Sequence, residues 1–312
     1  MIETAPDIRY LERHEIDTDK WDQCIIHAPN GLIYARTFYL DMMAGNWSAV
    51  IEGDYQYVMP LTWNKKYGFN YLYQPYFVKV LGVFGQSSIR FEISAFLNAI
   101  PGKFKYWDLD LNENNFVSGE NEKFRLDQYT RTNYFLPLLG NYEQIRLQYK
   151  RLANRMKKRA MDNALLIVRD VDPPTIIDLY RKDYSNKQRS ISNAVFEKLK
   201  NCTDFAYRNK MAVTYLAKSS GGDTLAYYIV LQDHKFIYSL IGGSTKEGKK
   251  LGAFYLLTDA IIFDHAGTGK IFRFEGSDIP GISFFDALFG PEKITYQHIV
   301  MNNLPFPLKL FK

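Results

Sequence analysis

Residues Phe236–Phe289 constrain the fold more than any other stretch, because they read as strand, glycine turn, helix, strand and helix. An apolar strand, FIYSLIGG (Phe236–Gly243), runs into the polar STKEGKKLGA (Ser244–Ala253) and then the helix FYLLTDAIIFDHA (Phe254–Ala266). IFRFEGSD (Ile271–Asp278) supplies a second strand and GISFFDALFG (Gly281–Gly290) a second helix. A strand that ends in glycines and feeds a helix leaves free backbone N–H groups at the positive end of the helix dipole, a ready place for a carbonyl or an anion. Lys246, Lys249 and Lys250 lie in the linker, and Glu275-Gly276-Ser277 ends the next strand near the same edge. A donor site and a carboxylate are therefore expected at one mouth.

Both halves of the chain run strand, strand, strand, helix, strand, which predicts an internal structural duplication. Ser48–Glu52 and Tyr55–Trp63 form a predicted hairpin about Gly53-Asp54, and Tyr67–Gln74 is a third strand that Pro75 ends. Ser88–Ile100 has helical spacing, and Lys105–Leu109 and Thr132–Leu136 are short strands. Lys20–His27 and Tyr39–Gly45 are short predicted helices. In the second half, Thr175–Asp183 and Ser192–Thr203 are helical, Met211–Lys218, Thr224–Gln232 and Lys235–Ile241 are strands, and Ile294–Met301 closes the second lobe. Tight turns join the first three strands of each half, so they must be antiparallel. The expected fold is mixed α/β (α+β): two lobes, each a mostly antiparallel sheet flanked by helices, over residues 1–140 and 141–312.

Between the halves, Tyr142–Met161 reads as one long helix with an apolar stripe of Ile145, Tyr149, Leu152 and Met156. Arg146, Lys150, Arg151, Arg155, Lys157, Lys158 and Arg159 surround that stripe. The helix is either a solvated face or a ridge that recruits a nucleotide, a phosphorylated lipid or tRNA, with Arg155 the leading candidate. The net charge of +5 fits a phosphate-bearing ligand and is too weak by itself to imply nucleic-acid binding. Cys24 and Cys202 form no CxxC pair, which points to free thiols in a reducing compartment. No signal peptide and no apolar run of spanning length is visible, so a cytoplasmic protein is expected. The five histidines show no metal-ligand spacing, and neither a GxSxG elbow nor a P-loop occurs.

These segments resemble the GNAT acyltransferase fold, here in tandem, and more closely the Fem-type (FemABX-like) peptidyltransferase group. The likeness rests on Tyr73-Gln74-Pro75, on Tyr149–Arg155, and on Phe272-Arg273-Phe274-Glu275-Gly276-Ser277 followed by Phe284-Phe285 and Phe289-Gly290. It implies transfer of an acyl or aminoacyl group, from acyl-CoA or aminoacyl-tRNA and without a metal, to an amine on a small molecule or cell-envelope precursor. tRNA is then a further partner. The chain departs from the GNAT phosphate loop [QR]-x-x-G-x-[GA]: Lys249 and Gly252 keep the first spacing, but Phe254 holds the last position. Phe284 and Phe285 stand where many GNAT enzymes present an acidic tyrosine.

Amide formation needs a neutral amine, a proton acceptor and fixed donors for the oxyanion. The donor side is expected at Tyr238, Ile241, Gly242, Gly243, Lys249, Lys250 and Gly252, and the acceptor side at Tyr73, Gln74, Arg155 and Ser277. Glu275 is the expected proton acceptor, with a salt bridge to Arg273 as its alternative. Ser277 is either a ligand or a helix cap. The rival to an enzyme is a non-catalytic GNAT-fold protein that binds a nucleotide-linked or polymeric ligand.

Overall fold

A computed structural model describes residues 7–119, 123–185, 191–276 and 278–311. The chain forms two compact units, residues 1–131 with 295–312, and residues 132–294. The first opens with β1 (Ile8–Glu12), α1 (Thr18–His27) and α2 (Thr37–Met43). β2 (Asn46–Glu52), β3 (Tyr57–Lys66), β4 (Phe69–Tyr73), β5 (Phe84–Gly85), β6 (Phe91–Glu92), α3 (Ser94–Asn98), β7 (Phe104–Asp110) and β8 (Asn115–Phe116) follow. β9 (Asp127–Pro137) carries the chain into the second unit. There α4 (Tyr142–Arg146), α5 (Arg151–Asp162), β10 (Leu166–Arg169), α6 (Pro173–Ser185) and α7 (Asn193–Arg208) precede β11 (Ala212–Lys218), β12 (Thr224–Gln232) and β13 (Phe236–Ser244). α8 (Lys246–Leu251), α9 (Ala253–His265), β14 (Ile271–Arg273) and α10 (Pro280–Asp286) complete it, and β15 (Glu292–Asn302) returns the chain to the first unit.

The strand orders of the two units match. In the first, β1, β2, β3 and β4 are antiparallel neighbours, β4 pairs in parallel with β7, and β15 runs antiparallel to β7. In the second, β10, β11, β12 and β13 are antiparallel, β13 pairs in parallel with β14, and β9 runs antiparallel to β14. The duplication expected from element order thus appears as a shared topology. One expectation changes: the last strand does not close the second lobe, because His298–Asn302 pairs with Tyr106–Asp110 of the first unit.

Each sheet has its own core. The first gathers Val50, Met59, Leu61, Leu72, Trp107 and Ile299. The second gathers Tyr228, Val230, Ile237, Leu257, Ile261 and Phe272. α9 is apolar on nearly every side, as a helix buried between layers must be. The predicted long helix breaks at Leu147–Lys150, giving α4 and α5. Lys150 N donates there to Leu288 O (2.8 Å), a tertiary bond that replaces the helical one. The helix expected over Ser88–Ile100 shortens to α3, because Phe91–Glu92 pairs with β8 instead. Among the described residues no helix is long and apolar enough to cross a membrane.

Candidate functional site

The second unit offers a strand edge with unpaired backbone. β12 flanks β13 along its length, from Gln232↔Ile237 to Ala226↔Ser244. On the other side β14 pairs with β13 only from Phe236↔Ile271 to Tyr238↔Arg273. Beyond Tyr238 that flank has no strand partner among the described residues. The register jumps from Val230↔Ser239 to Ile229↔Ile241, so Leu240 is an extra residue that bends the strand at this point. Along Ile241–Ser244 alternate N–H groups turn towards β12 and away from it. Those turned away are donors at a fixed edge.

The strand does not stop at its glycines, contrary to the expected turn; Gly242 and Gly243 pair with Tyr228 and Tyr227. They are glycine because aromatic rings lie over them. A Cβ on Gly242 would meet the Phe254 ring at 2.7 Å, and one on Gly243 would meet Tyr227 Oη at 2.3 Å. Phe254 stacks on Tyr228 (centroids 4.7 Å apart) and touches Phe285 (5.2 Å), which packs on Tyr255 (4.8 Å) and Phe289 (5.2 Å). This wall is apolar apart from its hydroxyls. Tyr228 donates to Ser239 Oγ (2.8 Å), while burial holds the Tyr255 phenol above the ordinary tyrosine range and the Arg155 charge partly offsets that rise. Tyr255 is a protonated donor that sequence reasoning passed over; its place three residues after Gly252 was the available signal.

After β13, Thr245 caps α8 through Gly248 N (3.0 Å). Gly252 ends that helix at φ +80°, and a Cβ there would lie 2.3 Å from Met156 O, so glycine lets α5 approach. Lys249 is exposed, and Lys250 is exposed with Glu247 at 3.4 Å. On α4 and α5 three of the basic residues are spoken for: Arg146 by Glu143, Lys158 by Asp162, and Lys157 by Tyr142 Oη (2.6 Å) and Asp259 (3.3 Å). Lys150, Arg151, Arg155 and Arg159 are exposed and have no acidic partner among the described residues.

Glu275 does not face an open mouth. Its side chain is 2% exposed. Oε1 accepts from Arg273 Nε (3.0 Å) and Oε2 from Asn133 Nδ2 (2.8 Å), while its own N–H donates to Asn133 Oδ1 (3.0 Å). Arg273 is fully buried, with Phe135, Phe236 and Tyr238 around its guanidinium at 4.4, 5.2 and 5.9 Å. The salt bridge foreseen as the alternative is the arrangement found. Tyr238 is likewise buried, and its hydroxyl donates to Asp233 (2.5 Å), so it packs rather than lining a channel. Ile241 is buried on the strand itself. Ser277 lies outside the described residues. Tyr73 and Gln74 belong to the first unit: Gly45 N donates to Tyr73 Oη (3.4 Å), and Gln74 donates to Val78 O (3.2 Å). A pocket of about 320 Å3 in the second unit, lined by Leu139, Gln144, Gln148 and Glu292 among others, contains none of the expected site residues.

No protein-family model and no curated protein sequence matches the chain. Its structure is similar to that of FemX, with TM-score 0.64 at 12% identity over 95% of this chain and 98% of that one. It is also similar to L-PGS from Bacillus licheniformis, with TM-score 0.51 at 11% identity over 86% and 88% of the two chains. A tandem GNAT protein from the clavulanic acid biosynthesis pathway gives 0.52 at 10% identity over 96% and 99%. Likeness at such low identity concerns the fold: two GNAT-like lobes of the Fem-like kind.

Proposed function

We propose that the chain is an N-acyltransferase or aminoacyltransferase whose donor carbonyl lies along the unpaired edge of β13. The observation that carries this reading is the parting of β13 from β14 beyond Tyr238, with a bulge at Leu240 and free N–H groups along Ile241–Ser244. An amine adds to the thioester or ester carbon there, and the carbonyl oxygen becomes an oxyanion held by preorganised backbone donors. Removing one such donor typically costs about 10²–10³-fold in turnover. Collapse of the adduct expels the thiolate or alkoxide; the nitrogen loses one proton and the leaving group gains one, and the Tyr255 hydroxyl is the candidate that passes it between them. The donor is acyl-CoA or aminoacyl-tRNA, and the unpaired cations Lys150, Arg151, Arg155 and Arg159 suit either one's phosphates. The acceptor is an amine on a small molecule or a cell-envelope precursor. Glu275 acts in this scheme as the partner that positions Arg273, not as the base.

One observation favours a second reading. Glu275 has both oxygens engaged, and α10 offers Phe284 and Phe285 where a tyrosine would exchange a proton, with Asp286, its only acid, buried at its last residue. A GNAT-fold protein that binds its ligand without reacting would look the same at this edge. Thermal stabilisation by acetyl-CoA, longer acyl-CoAs or charged tRNA, followed by a radiolabel transfer assay with primary amines, separates the readings. Stabilisation with transfer supports the enzyme, stabilisation without transfer the binding protein, and no response to any donor contradicts both.

A further inference from the structure

The first unit holds a cluster of titratable side chains that nothing above uses. Asp108 and Asp110 stand two apart on β7 and so share one face of the sheet. His298 on β15 is the register partner of Asp110, and Tyr73 on β4 that of Asp108. His298 Nδ1 lies 3.0 Å from Asp110 Oδ1. Arg131 Nη1 reaches both oxygens of Asp110, at 2.9 and 2.8 Å. Arg131 thus balances the Asp110 charge, and an acceptor oxygen beside Nδ1 fits the tautomer that carries its ring proton there. That leaves the Nε2 lone pair facing Asp108 Oδ1 across 3.6 Å. Tyr106 Oη donates to the other Asp108 oxygen (3.3 Å), and Tyr129 borders the imidazole at 5.8 Å.

With neutral His298, two acceptors oppose each other with no proton between them. The charges do not balance either: Arg131 offsets Asp110, and Asp108 keeps a full negative charge. Its side chain is 46% exposed, whereas that of His298 is 8% exposed, so the gap opens on the Asp108 side. A nitrogen placed about 2.8 Å from both Nε2 and Oδ1, the length of a charge-assisted hydrogen bond, closes a triangle on that 3.6 Å base. Such a group must donate at least twice and carry one positive charge.

We propose that Asp108 and His298 form a binding site for a primary ammonium group, with His298 Nε2 accepting its proton. The transfer is balanced: the ammonium becomes a neutral amine with a free lone pair, and His298 becomes an imidazolium between two carboxylates. Use of that amine as an acyl acceptor rests on the acyl-transfer reading; the ammonium site itself does not. Its rival is an imidazolium that bridges Asp108 and Asp110 permanently and binds nothing.

Side-chain ¹⁵N NMR of histidine in the full chain near neutral pH decides between them, with n-butylammonium chloride as probe and n-butanol and sodium chloride as controls. The expected result is a neutral His298 protonated at Nδ1, with an Nε2 signal that shifts saturably with butylammonium and with neither control. Asp108→Asn, at an exposed side chain, should weaken that titration by at least about tenfold, as loss of a hydrogen bond to a charged group implies. An imidazolium signal in the free protein, an unchanged titration in Asp108→Asn, or an equal response to butanol overturns the site. A normal butylammonium titration in a protein that transfers no acyl group would leave this site standing and count against the acyl-transfer reading alone.

Discussion

Asp110 in the first unit and Glu275 in the second occupy matching places. Asp110 ends β7 and Glu275 lies two residues past β14, the strands that join their sheets through the parallel pair, and each faces a polar side chain on the antiparallel strand beyond, His298 on β15 or Asn133 on β9. Their surroundings differ. Glu275 pairs with a fully buried Arg273, lies in the left-handed region at φ +58°, and has an amide opposite it that cannot titrate. Asp110 pairs with Arg131, whose side chain is 38% exposed, and has a histidine opposite it that can. The same topology thus produces a closed ionic lock in one unit and an open proton-handling cluster in the other. An acid at a strand end is not by itself a base; what stands across from it, and whether water reaches it, decides.

The largest consequence concerns stability. Glu275→Ala leaves the Arg273 guanidinium buried without its carboxylate, and should lower unfolding free energy by about 3–5 kcal/mol in urea titrations. A loss well under 1 kcal/mol would mean that the aromatic rings around Arg273 suffice, and the lock would not be one. Asp110→Asn should cost less, about 1.5–3 kcal/mol as for hydrogen bonds to charged groups, because Arg131 can turn to water. A cost equal to that of Glu275→Ala would erase the contrast between the two sites. Asp108→Asn should change stability by no more than about 0.5 kcal/mol, as surface changes do.

The open cluster should also show in alkali. Burial first, and then the Asp108 charge, push the Tyr106 phenol up to about 12. A free tyrosine ionises near ~10, so the folded state holds this proton more tightly than the unfolded one. The resulting stability is complete below pH ~10 and is lost as pH rises through the folded value. Tyr106→Phe should therefore flatten the decline of unfolding free energy over that window relative to the parent. Equal slopes would mean that neither burial nor the Asp108 charge holds the Tyr106 proton in the folded protein.

Much of the fold could be read from the chain, and the omissions are instructive. β12 matches its expected bounds, and the hairpin at Gly53 and the helix after Gly252 are where turn chemistry and apolar periodicity put them. Two of the strands passed over, β1 and β10, take equivalent edge positions in the two units. Each has one paired side and is short, four or five residues, so the period-two signal is too brief to register. The long helix was misread because the stripe from Ile145 to Met156 continues across Leu147–Lys150, where a tertiary bond to Leu288 O overrides it. At the site, the strand, the glycines and the lysines were found, but the reason for the glycines was not: rings of Phe254 and Tyr227, distant in sequence or across the ladder, cover them. His298 was invisible for the same reason, since Asp110 lies 188 residues away.

The most direct test follows the backbone amides of Ser239–Ser244 by NMR while acetyl-CoA, a longer acyl-CoA and a charged tRNA are added in turn. The account predicts that at least one donor shifts these amides saturably, with the largest changes at the N–H groups on the flank that β14 leaves unpaired. Unchanged amides along this edge with every donor, or saturable binding that perturbs only residues elsewhere, would contradict it.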